Sequence, residues 1–376
     1  MRMKIGCARR DITPSGDVYL IGYRDLPNRL EPATAIHDDV FANALLFEEG
    51  DRELFVLSAD VLEFEESMAE DVKTLLATRY GIDRDAVLLS ATHDHTSIAA
   101  YHRTWWTHKF DQHYYDWLLE TICSCFEECR ANAQEAIAKV GSKIVEGFYG
   151  NRNVPGKLAD NEVIVLEFSD ESGKPFAGIV NWAVHSAVVG PDCTELTSEL
   201  AGLTSKKLEK SLGYFPAMIV GAAGDCSDRN FRQGRGIDEV ERVSDGLAAA
   251  IAEIKPEREV ALDRIEIQTA YHTVAHDDFH LDLKLEVISL GGLHLFVFPS
   301  ELGGDFGIRM RKECPVQGLV FGYTNGYHEY FFPEWEYGLS FETAHTQIPK
   351  GEPEKIVDKF CQASKLLGAF DASSAR

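Results

Sequence analysis

Short apolar runs alternate with longer stretches of helical periodicity along this chain, the signature of strands interleaved with helices. Residues 52–59 and 86–92 predict strands on either side of a helix at 64–80, and a long helix is expected over 112–138. Strands follow near 144–149, 162–168 and 177–184, helices near 196–212 and 237–254, and strands again at 259–272, 284–290 and 293–298. βαβ units mixed with neighbouring strands imply an α/β protein, with a mixed β-sheet core flanked by helices. No repeat, low-complexity tract or proline-rich linker stands out. The segment Ile254-Lys255-Pro256-Glu257-Arg258-Glu259 is either a boundary or a simple connection.

Five of the apolar runs end abruptly in residues that bind metals or move protons. Val87-Leu88-Leu89 leads to Thr92-His93-Asp94-His95, and Ile179-Val180-Asn181-Trp182-Ala183-Val184 leads to His185. Met218-Ile219-Val220 precedes Gly224-Asp225-Cys226-Ser227, Phe296-Val297-Phe298 precedes Ser300-Glu301, and Val320-Phe321-Gly322 precedes Tyr327-His328-Glu329-Tyr330. Open α/β sheets bind ligands beyond the carboxyl ends of their strands, so these ends are expected to converge on one cleft. Since the candidate residues run from 93 to 330, a single catalytic unit over 1–376 is expected.

Charge narrows the partners. The balance of 61 acidic against 37 basic residues gives a net charge of −24, which repels phosphate backbones and anionic membrane surfaces. A small-molecule or lipid substrate is expected, not nucleic acid, and no pattern sets the oligomeric state. No run approaches the roughly 18 apolar residues of a membrane span, so stable membrane insertion is not expected. The start, Met1-Arg2-Met3-Lys4-Ile5-Gly6, lacks a signal-peptide core. The expected location is cytoplasmic, or secreted if a leader has been removed. Eight cysteines lack zinc-ribbon spacing, and Cys123, Cys125 and Cys129 on one predicted helix read as small buried hydrophobes.

In an extended chain alternate side chains share a face, so His93 and His95 would point the same way and suit a zinc ion. The bland alternative is a pair of surface or supporting histidines. The metallo-β-lactamase pattern H-x-H-x-D-H fails, because Ser97-Ile98 stand where its aspartate and third histidine belong. A TIM-barrel amidohydrolase carries its H-x-H on the first barrel strand, whereas strands precede position 93 here. His185 would be a third corner, or a satisfied core histidine. Glu301 follows Ser300, a predicted helix N-cap, so it is either a ligand or a first-turn carboxylate favoured by the helix dipole. The aromatic stretch Tyr101 to Trp117, with Trp105, Trp106, Tyr114 and Tyr115, would wall a lipid or sugar pocket or simply pack a helix.

Taken in order, these segments resemble the catalytic domain of the neutral/alkaline ceramidase family, zinc amidases that release a fatty acid from a sphingoid base. Gly6-Cys7-Ala8-Arg9-Arg10-Asp11-Ile12-Thr13-Pro14 is similar to that family's opening G-x-G/A-x-x-D-I-T-P, Ile36-His37-Asp38 to its G-I-H, and Ser58-Ala59-Asp60 to its S-A-D. Leu89-Ser90-Ala91-Thr92-His93-Asp94-His95-Thr96 resembles L-S-A-T-H-T-H-S-G-P, Asn151-Arg152 resembles N-R-S, and Val184-His185 resembles I-H-P. Gly224-Asp225-Cys226-Ser227 is similar to G-D-V-S-P-N, Pro299-Ser300-Glu301 to P-G-E, and Tyr327-His328-Glu329-Tyr330 to Y-x-x-Y.

The resemblance implies zinc held by His93, His185, Glu301 and Tyr330. His95 and Arg152 then resemble the groups that polarise the amide carbonyl or protonate the leaving nitrogen, with Asp225 and Ser227 just behind them. A serine nucleophile is disfavoured, since no G-x-S-x-G elbow surrounds Ser227. Departures concern the substrate. Thr96-Ser97-Ile98 replaces S-G-P, Cys226-Ser227-Asp228-Arg229 replaces V-S-P-N, and Glu336-Tyr337-Gly338 is expected to replace the family's second tyrosine segment. Too few residues follow Tyr330 for the family's immunoglobulin-like domain. The expectation is a zinc-dependent hydrolase cleaving an N-acyl bond of a sphingolipid or related compound. Its rivals are a hydrolase of small soluble amides, esters or sugar derivatives on the same scaffold, and a zinc-containing binding protein without catalysis.

Overall fold

The computed structural model describes residues 2–23, 26–103 and 109–374. Its framework is one six-element unit used three times. The first unit runs strand Lys4–Asp11, strand Phe41–Glu49, strand Arg52–Ala59, helix Glu66–Tyr80, strand Val87–Ala91 and helix Gln112–Asn132. The second runs Ile137–Ile144, Glu162–Ser169, Pro175–Trp182, helix Glu199–Leu212, strand Pro216–Val220 and helix Ile237–Ala252. The third runs Leu262–His276, Phe279–Gly291, Leu293–Val297, helix Gly304–Glu313, strand Gln317–Phe321 and, after a short helix at Phe341–His345, helix Glu352–Ser374. In every unit the first three strands pair antiparallel in sequence order, and the fourth, reached through a helix, lies parallel to the third. A hairpin needs only a tight turn, whereas a parallel partner needs a crossover, which explains where each helix falls.

The α/β class with mixed sheets flanked by helices is as the sequence implied; the threefold repeat is not. No residue motif recurs between units, and equivalent strands differ in length, as with Lys4–Asp11 and Leu262–His276. The repetition lies in connectivity, which hydrophobic periodicity does not report. Two boundaries also move. The long helix ends at Asn132, and the next strand is Ile137–Ile144 where 144–149 was expected. The strand Ile137–Ile144 carries the polar and glycine residues Lys139, Gly141, Ser142 and Lys143, which hide it from a hydrophobicity scan. The segment after Ile254 enters the edge strand Arg258–Val260, and lies between the second unit and the third.

The fourth strands of the three units meet at the centre. Gly322 N donates to Val220 O at 2.9 Å, Ala91 N to Tyr323 O at 3.1 Å, and Ser58 Oγ to Met218 O at 2.6 Å. Asn181, buried among them, donates to Ile219 O and Val320 O at 3.0 and 2.8 Å and accepts from Val320 N. Glycine is required at this crossing, because a Cβ on Gly322 would lie 2.4 Å from Gly221 O. One hydrophobic core runs through the first two sheets into the inner face of the third, and a second lies between the third sheet and the C-terminal helix. Cys123, Cys125 and Cys129 are buried in the first core, as small hydrophobes. Tyr114 and Tyr115 are buried there too, bonding Ile12 O and Asp71, so they pack the helix. Trp105 and Trp106 lie outside the described residues. Among the described residues no helix is long and apolar enough to cross a membrane.

Candidate functional site

Strand ends from all three units deliver the polar side chains. His93 follows the fourth strand of the first unit, His185 the third strand of the second, and Glu301 the third strand of the third. The strand before His93 stops at Ala91, so simple alternation does not aim the histidines. His93 instead takes a left-handed backbone (φ 58°), which is costly for a side-chain-bearing residue and typical of functional positions. That turn brings His93 Nε2 to 3.1 Å from His95 Nε2. Gly22 shapes the opposite wall: its φ of 121° and close contact with the His95 backbone exclude a side chain, and its carbonyl lies 3.0 Å from His95 Nδ1.

Ligand nitrogens of His93, His95 and His185 lie within 4.8 Å of one another. The Glu301 carboxylate is 3.4 Å from His93 Nε2 and 3.6 Å from His185 Nδ1. Burial pulls His93 and His185 well below the usual imidazole range and His95 down to about 3, with Arg152 adding to the effect. The imidazoles are therefore neutral at neutral pH. Leu62 O lies 2.9 Å from His93 Nδ1 and Gly22 O faces His95 Nδ1, so each Nδ1 carries the proton. Two Nε2 lone pairs then face each other at 3.1 Å. Such a contact is repulsive unless a cation lies between, and it is close to the ligand separation of about 3.3 Å that a tetrahedral zinc with Zn–N of about 2.05 Å requires. The donor set fits a metal ion.

Glu301 is fully buried and belongs to a two-residue parallel ladder that pairs it with Tyr330. The helix begins only at Gly304, so Ser300 is not its N-cap and Glu301 is not in its first turn. Ser300 Oγ instead bonds Glu329 O. Burial pushes the Glu301 carboxyl up to about 7, opposed by Arg152 and by two phenols. Tyr327 donates to Oε1 at 2.5 Å and Tyr323 to Oε2 at 3.1 Å. Neither phenol was singled out as a site residue in the sequence. Tyr327 lies within the Y-x-x-Y match, and Tyr323 had only its place after the strand Gln317–Phe321 to mark it.

Arg152 is buried beside this cluster. Its Nη2 donates to Gly224 O at 2.7 Å and to Tyr330 Oη at 3.4 Å, and pairs with Glu342 at 3.2 Å. Burial pushes the Tyr330 phenol up and Glu301 adds to this, while Arg152 opposes it. Asp225 and Ser227 act at one remove. The Asp225 carboxylate accepts from Asn151 Nδ2 at 2.8 Å and from Gly304 N at 2.7 Å, and its carbonyl accepts from Arg152 N at 2.6 Å. Ser227 Oγ accepts from Arg229 N. The two hold the Arg152 turn in place and make these bonds away from the imidazoles. Glu342, which sequence reasoning missed, lies in the helix Phe341–His345, which is too short to carry a periodic signal.

Fold and site together define an α/β protein with three imidazoles and a carboxylate gathered at converging strand ends. The chain belongs to the neutral/alkaline non-lysosomal ceramidase family, whose N-terminal model matches residues 3–222 of the 376. Two solved structures share the fold. A ceramidase complexed with C2 superposes with a TM-score of 0.86 at 17% identity, covering 98% of this chain and 76% of that one. A neutral ceramidase from Pseudomonas aeruginosa gives 0.84 at 19% identity, covering 98% and 74%. Family and fold support a hydrolase of ceramidase type.

Proposed function

We propose that the protein is a zinc-dependent hydrolase of N-acyl bonds, with His93, His185, Glu301 and Tyr330 holding the ion and His95 and Arg152 serving the reaction. The observation that carries this is the buried Glu301 carboxylate 3.4 Å from His93 Nε2 and 3.6 Å from His185 Nδ1, with the proton-free Nε2 of His95 facing His93 at 3.1 Å. Zinc bound there supplies Lewis acidity and a hydroxide available near pH 7. The side chains do the rest. Tyr323 and Tyr327 fix both Glu301 oxygens. Arg152 stays charged, since Tyr330, Glu342 and Glu301 outweigh the cost of burying it, and it is placed to neutralise an acyl oxygen as charge develops. Neutral His95, its Nδ1–H held by Gly22 O, would take a proton at Nε2 from the attacking water and then pass it to the leaving nitrogen.

Ceramide is the substrate the family name suggests, but the surroundings of Arg152 favour the alternative of a small polar compound. Glu342, Glu336, Asn153 and Arg229 crowd this side of the centre, and a hydrocarbon chain would leave these polar groups without partners. The test is metal analysis combined with turnover of an N-acyl series of increasing chain length. About one zinc per chain, lost in His185→Ala, is expected. In His95→Ala and Arg152→Ala zinc stays, and turnover falls about a hundredfold or more. Full zinc in both His93→Ala and His185→Ala would refute the ligand set, and a steep gain with chain length would restore ceramide.

A further inference from the structure

Beside Arg152 lies a group of buried polar atoms that no neighbour satisfies. Glu336 is fully buried, Glu342 is 5% exposed and Arg152 is 8% exposed. One oxygen of each carboxylate is engaged: Glu336 Oε1 accepts from Asn153 Nδ2 at 2.5 Å, and Glu342 Oε1 pairs with Arg152 at 3.2 Å and with Arg229 at 3.9 Å. The other oxygens, Glu336 Oε2 and Glu342 Oε2, find no donor among the described residues, nor does Asn153 Oδ1, and Arg152 Nε finds no acceptor. Thr343 ties the two acidic positions together by donating to Glu336 O at 3.2 Å. The same Arg152 reaches Tyr330 Oη, so this group borders the catalytic centre through one guanidinium.

Buried groups left unpaired are costly, and here they cluster. Three acceptors call for donors and one donor calls for an acceptor. An anion satisfies only the Arg152 Nε. An ammonium satisfies only the oxygens, and it would face Arg152 and Arg229. Hydroxyl groups do both.

We propose that Glu336, Glu342, Asn153 and Arg152 form a polyol-recognition subsite, and that the substrate is an N-acylated amino polyol of sugar type whose hydroxyls satisfy these atoms. The inference rests on the hydrolase reading above and deepens it to a substrate class. It also gives the Glu336-Tyr337-Gly338 segment, a departure from the family pattern, a role in selectivity.

The test compares an N-acetyl amino sugar with N-acetylcyclohexylamine, a ring amide of similar size without hydroxyls. Binding of both to the zinc-loaded protein is measured by saturation-transfer NMR with competition, independently of turnover. The wild-type protein should prefer the hydroxylated probe by about tenfold or more, as for a site whose polar groups would otherwise stay unpaired. In Glu336→Gln, compared at about pH 8 where the native carboxylate is ionised, one lone acceptor becomes a donor, and the preference should collapse; Asn153→Ala, an independent variant, should also lower it. Equal binding of the two probes to wild type, with water alone filling the subsite, would overturn the proposal, as would a preference that survives in both variants. Hydroxyl-selective binding without any amide turnover would instead remove the hydrolase reading and leave the subsite standing.

Discussion

Replacing Tyr327 by phenylalanine removes one oxygen from a buried ring and tests whether Glu301 is a metal ligand held in aim by its neighbours. The Tyr327 hydroxyl donates to Glu301 Oε1 at 2.5 Å, while Tyr323 holds Oε2 at 3.1 Å. Glu301 is fully buried, so no solvent replaces the lost donor. A hydrogen bond to a charged acceptor contributes about 1.5–3 kcal/mol, and partners that orient metal ligands typically govern affinity by about 10–100-fold, or about 1.4–2.8 kcal/mol. Two independent routes thus give one range. Zinc affinity of Tyr327→Phe, read by competition with a chromophoric chelator, should fall about 10–100-fold. Circular dichroism should show an unchanged fold, and Tyr323→Phe should behave alike in the same direction. Wild-type zinc affinity in Tyr327→Phe with the fold intact would refute the reasoning, because Glu301 would then be a structural carboxylate indifferent to its donors.

Two further outcomes follow from the site's surroundings. Gly22→Ala should destabilise the protein by about 2 kcal/mol or more and cut turnover, since a Cβ there meets the His95 backbone within 2.2 Å at a left-handed φ; thermal melts and rates check both, and an unperturbed variant contradicts it. Stability should fall between pH 6.5 and 8, because burial holds the Glu199 carboxyl up to about 8 and Glu336 up to about 7. The folded state keeps protons there that the unfolded chain has released, so the unfolding free energy drops with rising pH, by on the order of 1–2 kcal/mol. The site imidazoles, neutral when folded but still partly protonated near pH 6.5 when unfolded, act in the opposite sense up to about pH 7.5, so the fall is clearest above that. Denaturant titrations across this window that show rising stability would contradict it.

Much of the site was legible because strand ends announce themselves. His93, His185 and Glu301 each follow an apolar run, and the structure brings the Glu301 carboxylate to 3.4 Å from His93 and 3.6 Å from His185. What stayed hidden depends on backbone detail. The left-handed turn at His93 replaces the alternation expected of an extended chain, and it has no residue signature, since histidine rarely adopts that conformation. Ser300 looked like a helix cap because Ser-Glu before an apolar stretch usually is one. Here the ladder between Glu301 and Tyr330 claims those residues first. Glu336 and Glu342 sit in a segment of short turns among exposed Trp335, Leu339 and Phe341, where polarity suggests surface and only tertiary packing turns them inward. The strand Ile137–Ile144 was misplaced for the opposite reason, being a strand with too few apolar residues to register.

The three units also change what counts as a part of this protein. The family match ends at residue 222, just past Pro216–Val220, the last strand of the second unit. A cut at that boundary would look natural in one dimension and be fatal in three. It would keep the imidazoles and discard Glu301, both tyrosines that steady it, and the Gly322 that locks onto Val220. The first two units would be left with a raw central edge and a cage open on one side. For such a chain the smallest module with a complete centre is all three units, and the third is indispensable to the other two.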